Sequence, residues 1–232
     1  MNRRLLIGLA ALALLAAGGC ENTSNGNSAG SQTSGNSSSH AASKPADAQA
    51  ELSAAVSASS SGLQNVKYKA DGSSSVNGAA PSTTQSVLEI DFSPLAEHIE
   101  ITNSTGTSKV NVNAAGKQCG TNSNGTTFAH AGVALSADVI SPYSLGAKVS
   151  GAHYDPDVDG RWVVTGNVQI TNSSVSLDTA TFTIDPQTNL IVKIVQHSVS
   201  SLTVASGTVK YDSTTTESDF VRNGGVTIPA CT

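Results

Sequence analysis

The sequence predicts an α+β protein that is mostly β, built from antiparallel strands with a few helices. The first observation is a strict alternation of apolar and polar residues in several segments, such as Leu88–Phe92. This alternation is typical of strands with one buried and one solvated face. The second is a series of Gly-containing turn signals between these segments. The third is one longer segment, from about residue 46 to 60, with helical three- and four-residue spacing.

The chain begins with a basic and apolar leader. Arg3 and Arg4 precede the apolar run Leu5–Ala17, which is shorter than the roughly 20 residues needed to span a bilayer. Residues 1–19 are therefore predicted to be a signal peptide. The segment Leu15-Ala16-Ala17-Gly18-Gly19-Cys20 resembles the lipobox of bacterial lipoproteins, with Ala17 where Leu is usual.

That resemblance implies cleavage before Cys20 and a diacylglyceryl, palmitate-type anchor on its sulfur. Two acyl chains hold a protein stably on a membrane. We therefore expect an extracytoplasmic protein anchored to the cell membrane. In a Gram-negative cell the outer membrane is an alternative location for the anchor, because the residue after the cysteine is Glu21 and not Asp. The alternative is a plain secreted protein with a chance cysteine.

Residues 20–44 are predicted to be a disordered tether. The stretch is rich in Ser, Asn and Gly and cannot bury enough apolar surface to offset its ordering entropy. The whole chain has 12 basic and 17 acidic residues, and removal of Arg3 and Arg4 would leave a net charge of about −7. This balance provides no basic face for nucleic acid.

Residues 45–232 are predicted to form one domain. Its first helix is expected to start at Pro45, with Asp47 in the first turn, and to end at Gly62. A second helix is expected from Ser141-Pro142 to Lys148.

Alternation marks the strands around these helices. It places Trp162, Val164, Val168 and Ile170 on one face of one strand. The predicted turns are Asp71-Gly72, Asn77-Gly78, Ala115-Gly116, Asp159-Gly160 and Asn223-Gly224. Aromatic residues make up only 4% of the chain, so the core must consist of Val, Ile, Leu and Ala. Such side chains leave either a shallow core or room for a guest molecule.

The two cysteines left after lipidation, Cys119 and Cys231, are expected to form a disulfide. The bridge would tie a C-terminal strand, residues 225–230, to the turn after Val112. The alternative is a redox pair, for which the sequence has no Cys-x-x-Cys motif.

The segment Thr181–Ile194 reads as strand, Asp185-Pro186-Gln187-Thr188-Asn189 turn, and strand. Pro186 sets φ for a turn, Asp185 can cap it, and Asn189 tolerates a left-handed backbone. This hairpin resembles one in the mycobacterial and actinobacterial lipoproteins of the LppX/LprAFG family, which share the LolA fold. The lipobox, tether, opening helix and short second helix agree with that pattern, and the Cys119–Cys231 pair departs from it.

The resemblance implies an antiparallel half-barrel sheet with helices over its concave face, and a monomer that binds or shuttles a lipid or lipoglycan. An envelope transporter is a candidate partner. Each candidate groove residue is also a candidate for ordinary core. The candidate ligand-lining residues are Leu88, Ile90, Phe92, Ile99, Ile101, Trp162, Val164, Val168, Ile170, Ile184, Val192 and Ile194.

We expect neither an enzyme nor a cofactor, because the sequence has no Gly-x-Ser-x-Gly elbow and no His-Glu-x-x-His motif. Asp155, Asp157 and Asp159 followed by Gly160 match the first half of a calcium loop, but position twelve is Gly166 instead of Glu. A hairpin turn explains these acids without metal. The alternatives to a lipid carrier are a structural or protein-binding β-lipoprotein with a filled core, and a calcium-dependent adhesive module.

Overall fold

The computed structural model describes residues 43–132, 134–168, 175–204 and 207–231. The predicted signal peptide 1–19, Cys20, the tether up to residue 42 and Ile170 lie outside the described residues. They remain predictions from the sequence.

The described residues form one open sheet of eleven antiparallel strands in the order β6-β5-β4-β3-β2-β1-β11-β10-β9-β8-β7. Strands that follow each other in sequence are neighbours in the sheet, except β6 and β7, which lie at its two edges. The first strand also pairs with the last. The strands are β1 Asn65–Val76, β2 Ser82–Phe92, β3 Leu95–Asn103, β4 Gly106–Asn113, β5 Lys117–Thr121, β6 Thr127–Ala131, β7 Val149–Val158, β8 Arg161–Val168, β9 Val175–Asp185, β10 Leu190–Val204 and β11 Gly207–Arg222.

Helix α1 covers Ala48–Ser60. It begins after Asp47, whose carboxylate accepts hydrogen bonds from the backbone N–H groups of Gln49 and Ala50. The expected start at Pro45 was therefore wrong by three residues, because Asp47 acts as the N-cap instead of lying in the first turn. At the other end, Arg222 Nη2 donates to the carbonyl oxygens of Ala58 and Ser61, at 3.2 and 2.9 Å.

The second predicted helix is present as a 3₁₀ helix, Pro142–Lys148. It follows a short helix α2, Ala137–Ile140, which the sequence analysis did not predict. Four residues are too few to show a helical period.

Strand register divides the sheet into two faces, because directly paired residues share a face. We call the face covered by the helices the inner face. On it Val66 pairs with Ile90, and Ile194 pairs with Phe182. Lys67 and Glu89 pair on the opposite, outer face. The predicted fold class, a mostly antiparallel sheet with helices over one face, is thus confirmed.

Two apolar clusters fill the inner face. The first lies under α1 and the 3₁₀ helix in the β7–β10 half and includes Leu52, Tyr143 and Phe182, all fully buried. Full burial of a side chain the size of leucine stabilises the fold by about 1.5–3 kcal/mol. The second cluster lies in the β1–β3 half and centres on Val66, Tyr68, Ile90 and Ile140.

The turn predictions are mostly confirmed. Asp159 and Gly160 have φ values of 52° and 71° and join β7 to β8, as a type I′ hairpin requires. Asn189 is also left-handed, with φ of 55°, and its N–H donates to the carbonyl oxygen of Asp185 at 2.8 Å. The Asp71-Gly72 turn was wrong, since both residues lie inside β1, where Gly72 pairs with Thr84.

The predicted disulfide joins Cys119 of β5 to Cys231. Residues 225–230 form no strand, however, and Cys119 lies within β5 instead of a turn. The Gly225 N–H donates to Asn65 Oδ1 at the start of β1, and Cys119 pairs with Asn111 in register with the outer face. The C-terminal tail therefore runs from β1 to β5 across the outer face.

Candidate functional site

An open cleft of about 510 Å³ lies between the C-terminal end of α1, helix α2 and the 3₁₀ helix. Its apolar lining includes Leu63, which packs against both clusters, and Phe92, which packs against the second. We call these two side chains the floor of the cleft. The full lining consists of Ser60, Leu63, Phe92, Ala137, Ser141, Ser144, Ala147 and Lys148. The volume lies within the range of small-molecule sites, about 300–1,000 Å³.

Half of the predicted ligand-lining residues are fully buried core. Each has a relative exposure of 7% or less, so a ligand can reach them only if the helices move. These residues are Ile90, Trp162, Val164, Val168, Ile184 and Ile194. The structure brings the last five together with Leu52 and Tyr143 under the helices.

The remaining described candidates are half-buried. Phe92 alone among them lines the cleft. Leu88 and Ile99 pair across β2 and β3, in line with Val110 on β4, and so form an apolar row on the inner face. Ile101 lies one step further along β3, between Ser86 and Ser108.

Val192 is placed differently from the prediction. Ile191 pairs with Ile184 and Lys193 pairs with Thr183, so the register shifts at Val192. This bulge buries Ile191, at 2% exposure, where a regular strand would bury Val192. The hydroxyl of Ser59 on α1 accepts a hydrogen bond from the Ile191 N–H at 2.9 Å, which satisfies the backbone at the irregularity.

Glu97 is an acid in an apolar setting on the inner face. It pairs with Ile90 on one side and Val112 on the other, and it is 4% exposed. Burial raises its pKa to about 7. Its Oε2 atom has no hydrogen-bond partner among the described residues. Glu97 was not among the predicted site residues, although it lies in phase with Ile99 and Ile101, and that phase was the available signal.

A second acid, Glu217 of β11, lies on the same face between Ala70 and Ile194. Burial raises its pKa to about 8. Burial first, and then the charges of Glu217 and Glu97, hold the pKa of Tyr68 well above its usual value. The middle of the inner face therefore favours uncharged carboxyl groups near neutral pH.

The Asp155–Asp159 segment is not arranged as a metal loop. Asp155 accepts a hydrogen bond from the Thr165 hydroxyl at 2.6 Å, Asp157 pairs with Lys44, and Asp159 lies in the hairpin turn. Within the described ranges, no group of three or more His, Cys, Asp or Glu side chains is placed to hold a metal ion.

A second groove, of about 370 Å³, lies on the outer face over Val87 and Val221. Its lysines already have partners: Lys67 pairs with Glu89 at 2.6 Å, and Lys69 pairs with Asp219 at 2.8 Å. The cleft by the helices is the stronger candidate site, since it opens toward an apolar cluster and carries no such pairs.

No family model matches the chain, and no curated protein matches its sequence. Solved structures do match. The chain is similar to the lipoprotein LppX of Mycobacterium tuberculosis, at 14% identity over 78% of this chain and 97% of that one, with a TM-score of 0.46. It is also similar to a LolA superfamily protein of Nitrosomonas europaea, at 9% identity over 77% and 94% of the two chains, with a TM-score of 0.34.

The MucA/MucB complex of Pseudomonas aeruginosa matches at 17% identity over 78% of this chain and 59% of that one, with a TM-score of 0.34. These are likenesses of architecture at low sequence identity. The LppX- and LolA-type resemblance predicted from the sequence agrees with these likenesses. In the part of the chain that the structure describes, no helix has the length and apolar character needed to cross a membrane.

Proposed function

We propose that the chain is a lipid-anchored envelope protein that binds a lipidic ligand on its inner face. The observation that carries this proposal is the open cleft of about 510 Å³ with Leu63 and Phe92 on its floor. A concave site that is mostly apolar, with a few polar groups at its rim, is the usual form of a small-molecule site. The ligand's acyl chain would lie on the apolar floor.

The site belongs to the β1–β3 half of the sheet. In the other half Leu52, Tyr143 and Phe182 are each less than 2% exposed, so its core is already filled. A ligand there would have to displace α1. In the β1–β3 half, Phe92 meets the cleft directly, and Leu88 and Ile99 continue the apolar surface along the inner face.

Cys20 would provide the membrane anchor in this proposal. Two acyl chains on its sulfur would hold the protein stably on the membrane. The tether that follows would span roughly 25–30 Å as a flexible coil, which lifts the domain clear of the lipid headgroups. In that position the cleft would be free to receive a lipid from the membrane and to pass it to a partner.

A cleft-blocking variant tests the proposal. Ala147 is exposed and lines the cleft, so Ala147→Trp should fill it without disturbing the core. Ala79, exposed in the loop between β1 and β2, gives the matched control Ala79→Trp. The measurement is titration of a pyrene-labelled hydrocarbon chain into each protein, followed by fluorescence.

We expect Ala147→Trp to weaken probe binding at least about tenfold, which corresponds to about 1.4 kcal/mol. Ala79→Trp should bind like the unmodified protein. Equal binding by all three proteins would place the ligand elsewhere.

A second candidate function is a structural or protein-binding module, which the filled cluster under α1 favours. Absence of probe binding by the unmodified protein would favour that module over the lipid proposal.

A further inference from the structure

Lys148 is the only charged residue that lines the cleft in the described part of the chain. It lies in the last turn of the 3₁₀ helix and is exposed. It forms no ion pair with any described residue. By contrast, Lys67, Lys69 and Lys109 each pair with a carboxylate on the outer face. The cleft therefore holds a positive charge that no described acid neutralises.

The rest of the cleft is divided by polarity. Leu63, Phe92 and two alanines provide apolar surface, and Ser60, Ser141 and Ser144 provide hydroxyl groups. These three hydroxyls have no hydrogen-bond partner among the described residues. A lysine ammonium and hydroxyl groups are donors suited to an anionic oxygen. The apolar floor is suited to a hydrocarbon chain.

From this arrangement we propose that the cleft selects an anionic amphiphile, whose headgroup pairs with Lys148 and whose chain lies on Leu63 and Phe92. This inference rests on the proposed function and adds a headgroup site to it. The headgroup is a carboxylate or a phosphate, since both present oxygens that an ammonium and hydroxyl groups can bind.

The charge of the whole protein makes a cation that lines the cleft important. The chain has 17 acidic and 12 basic residues, so an anion is repelled by the protein in general. An anionic ligand is attracted only to a cation that is not already paired with an acidic residue of the protein. No aspartate or glutamate is among the described residues that line the cleft. Because the site is open to water, salt will screen the attraction, with a Debye length of about 8 Å at physiological ionic strength.

The test compares probes that share one chain and differ in headgroup. Hexadecanoate, hexadecyl phosphate and hexadecan-1-ol each displace the pyrene-labelled chain from the full-length protein carrying Cys20→Ser, below their aggregation concentrations. The variants are Lys148→Ala, Lys148→Arg and a matched control, Lys210→Ala. Lys210 is exposed on β11 and does not line the cleft.

We expect Lys148→Ala to weaken the binding of one or both anions by up to about fivefold, the range for a solvent-exposed ion pair. Hexadecan-1-ol should be unaffected, Lys148→Arg should retain most of the affinity, and Lys210→Ala should change nothing. The effect should shrink at high salt. The anion with the larger loss identifies the headgroup as carboxylate or phosphate.

Three results would overturn the inference. If both anions bind Lys148→Ala as tightly as the unmodified protein, the headgroup site is wrong while the lipid proposal stands. If Lys148→Ala weakens the binding of hexadecan-1-ol as much as the binding of the anions, Lys148 acts by packing and the cleft does not select an anion. If the unmodified protein does not bind the pyrene-labelled chain, the proposed function fails and the headgroup site fails with it.

Discussion

Gly146 allows the 3₁₀ helix to lie against α1, and its replacement by alanine is the sharpest test of how the helices cover the sheet. A Cβ atom built at Gly146 would lie 2.3 Å from Val56 Cγ2, well inside van der Waals contact. It would also lie 3.6 Å from Phe182 Cε1 and 3.7 Å from Leu52 Cδ1, which are ordinary contacts. The clash is therefore with one atom of one side chain.

That atom cannot move away easily. Valine in a helix has one strongly preferred χ1 rotamer, so relief requires a shift of α1 or of the 3₁₀ helix. Overpacking of this kind costs about 1–3 kcal/mol. For a domain of this size each kilocalorie lowers the melting temperature by about 2–4 °C, so we expect Gly146→Ala to melt roughly 2–12 °C lower.

A double-mutant cycle isolates the contact. Val56→Ala removes the clashing atom and should itself cost about 1 kcal/mol, because Val56 is only partly buried. In that background Gly146→Ala should cost less than about 0.5 kcal/mol, which gives a coupling energy of about 0.5–3 kcal/mol. The control is Gly72→Ala, since a Cβ at Gly72 would meet nothing closer than 3.7 Å.

Urea unfolding followed by circular dichroism measures all five proteins. The packing is wrong if Gly146→Ala is as stable as the unmodified protein. It is also wrong if the cost of Gly146→Ala is the same whether residue 56 is valine or alanine.

Three further predictions concern buried polar groups and the disulfide. Burial raises the pKa of Glu97 in the folded state from 4.5 to about 7. The stability that the raised pKa of Glu97 contributes is therefore complete below pH 4.5 and is lost as the pH rises through 7. Glu97→Gln should therefore remove up to about 3 kcal/mol of the fall in unfolding free energy between pH 5 and 8, as measured by urea unfolding at each pH. An unchanged fall in the variant would contradict this. The double variant Cys119→Ser, Cys231→Ser should lower the unfolding free energy by up to about 4–5 kcal/mol, because the bridge joins residues with a sequence separation of 112. An unchanged urea midpoint would contradict this. Ser59→Ala should cost about 1–3 kcal/mol, because it leaves the Ile191 N–H unpaired in the core, and Ser53→Ala on the exposed side of α1 should be near neutral in the same assay.

The strands and their faces follow from local sequence, which is why most of the sheet could be predicted. Alternation around Leu88 and Ile99 correctly places both residues on the inner face. The turn at Asp185–Asn189 was predicted because Pro, Asp and Asn each have a defined local backbone preference. The Asp71-Gly72 prediction failed because Gly72 pairs with Thr84 within a long strand, a long-range contact that outweighs the local turn preference.

The site was less accessible to sequence reasoning because it depends on packing between distant segments. Alternation predicts that Ile184 and Phe92 face inward, but only the position of α1 shows that Ile184 is sealed in the core while Phe92 meets the cleft. The bulge that buries Ile191 instead of Val192 depends on the Ser59 hydroxyl, 132 residues away in sequence. Lys148 shows no local pattern at all; it became a candidate because the structure places it beside an apolar floor.

The most direct test of the lipid proposal is native mass spectrometry of the full-length protein carrying Cys20→Ser, purified gently from a bacterial host and then exposed to an envelope lipid extract. We predict a bound amphiphile that adds its mass to the folded protein and is lost on denaturation. Ala147→Trp should greatly reduce the fraction of the protein that carries the bound amphiphile. A spectrum that shows only the unliganded mass, before and after exposure to the extract, would contradict the account.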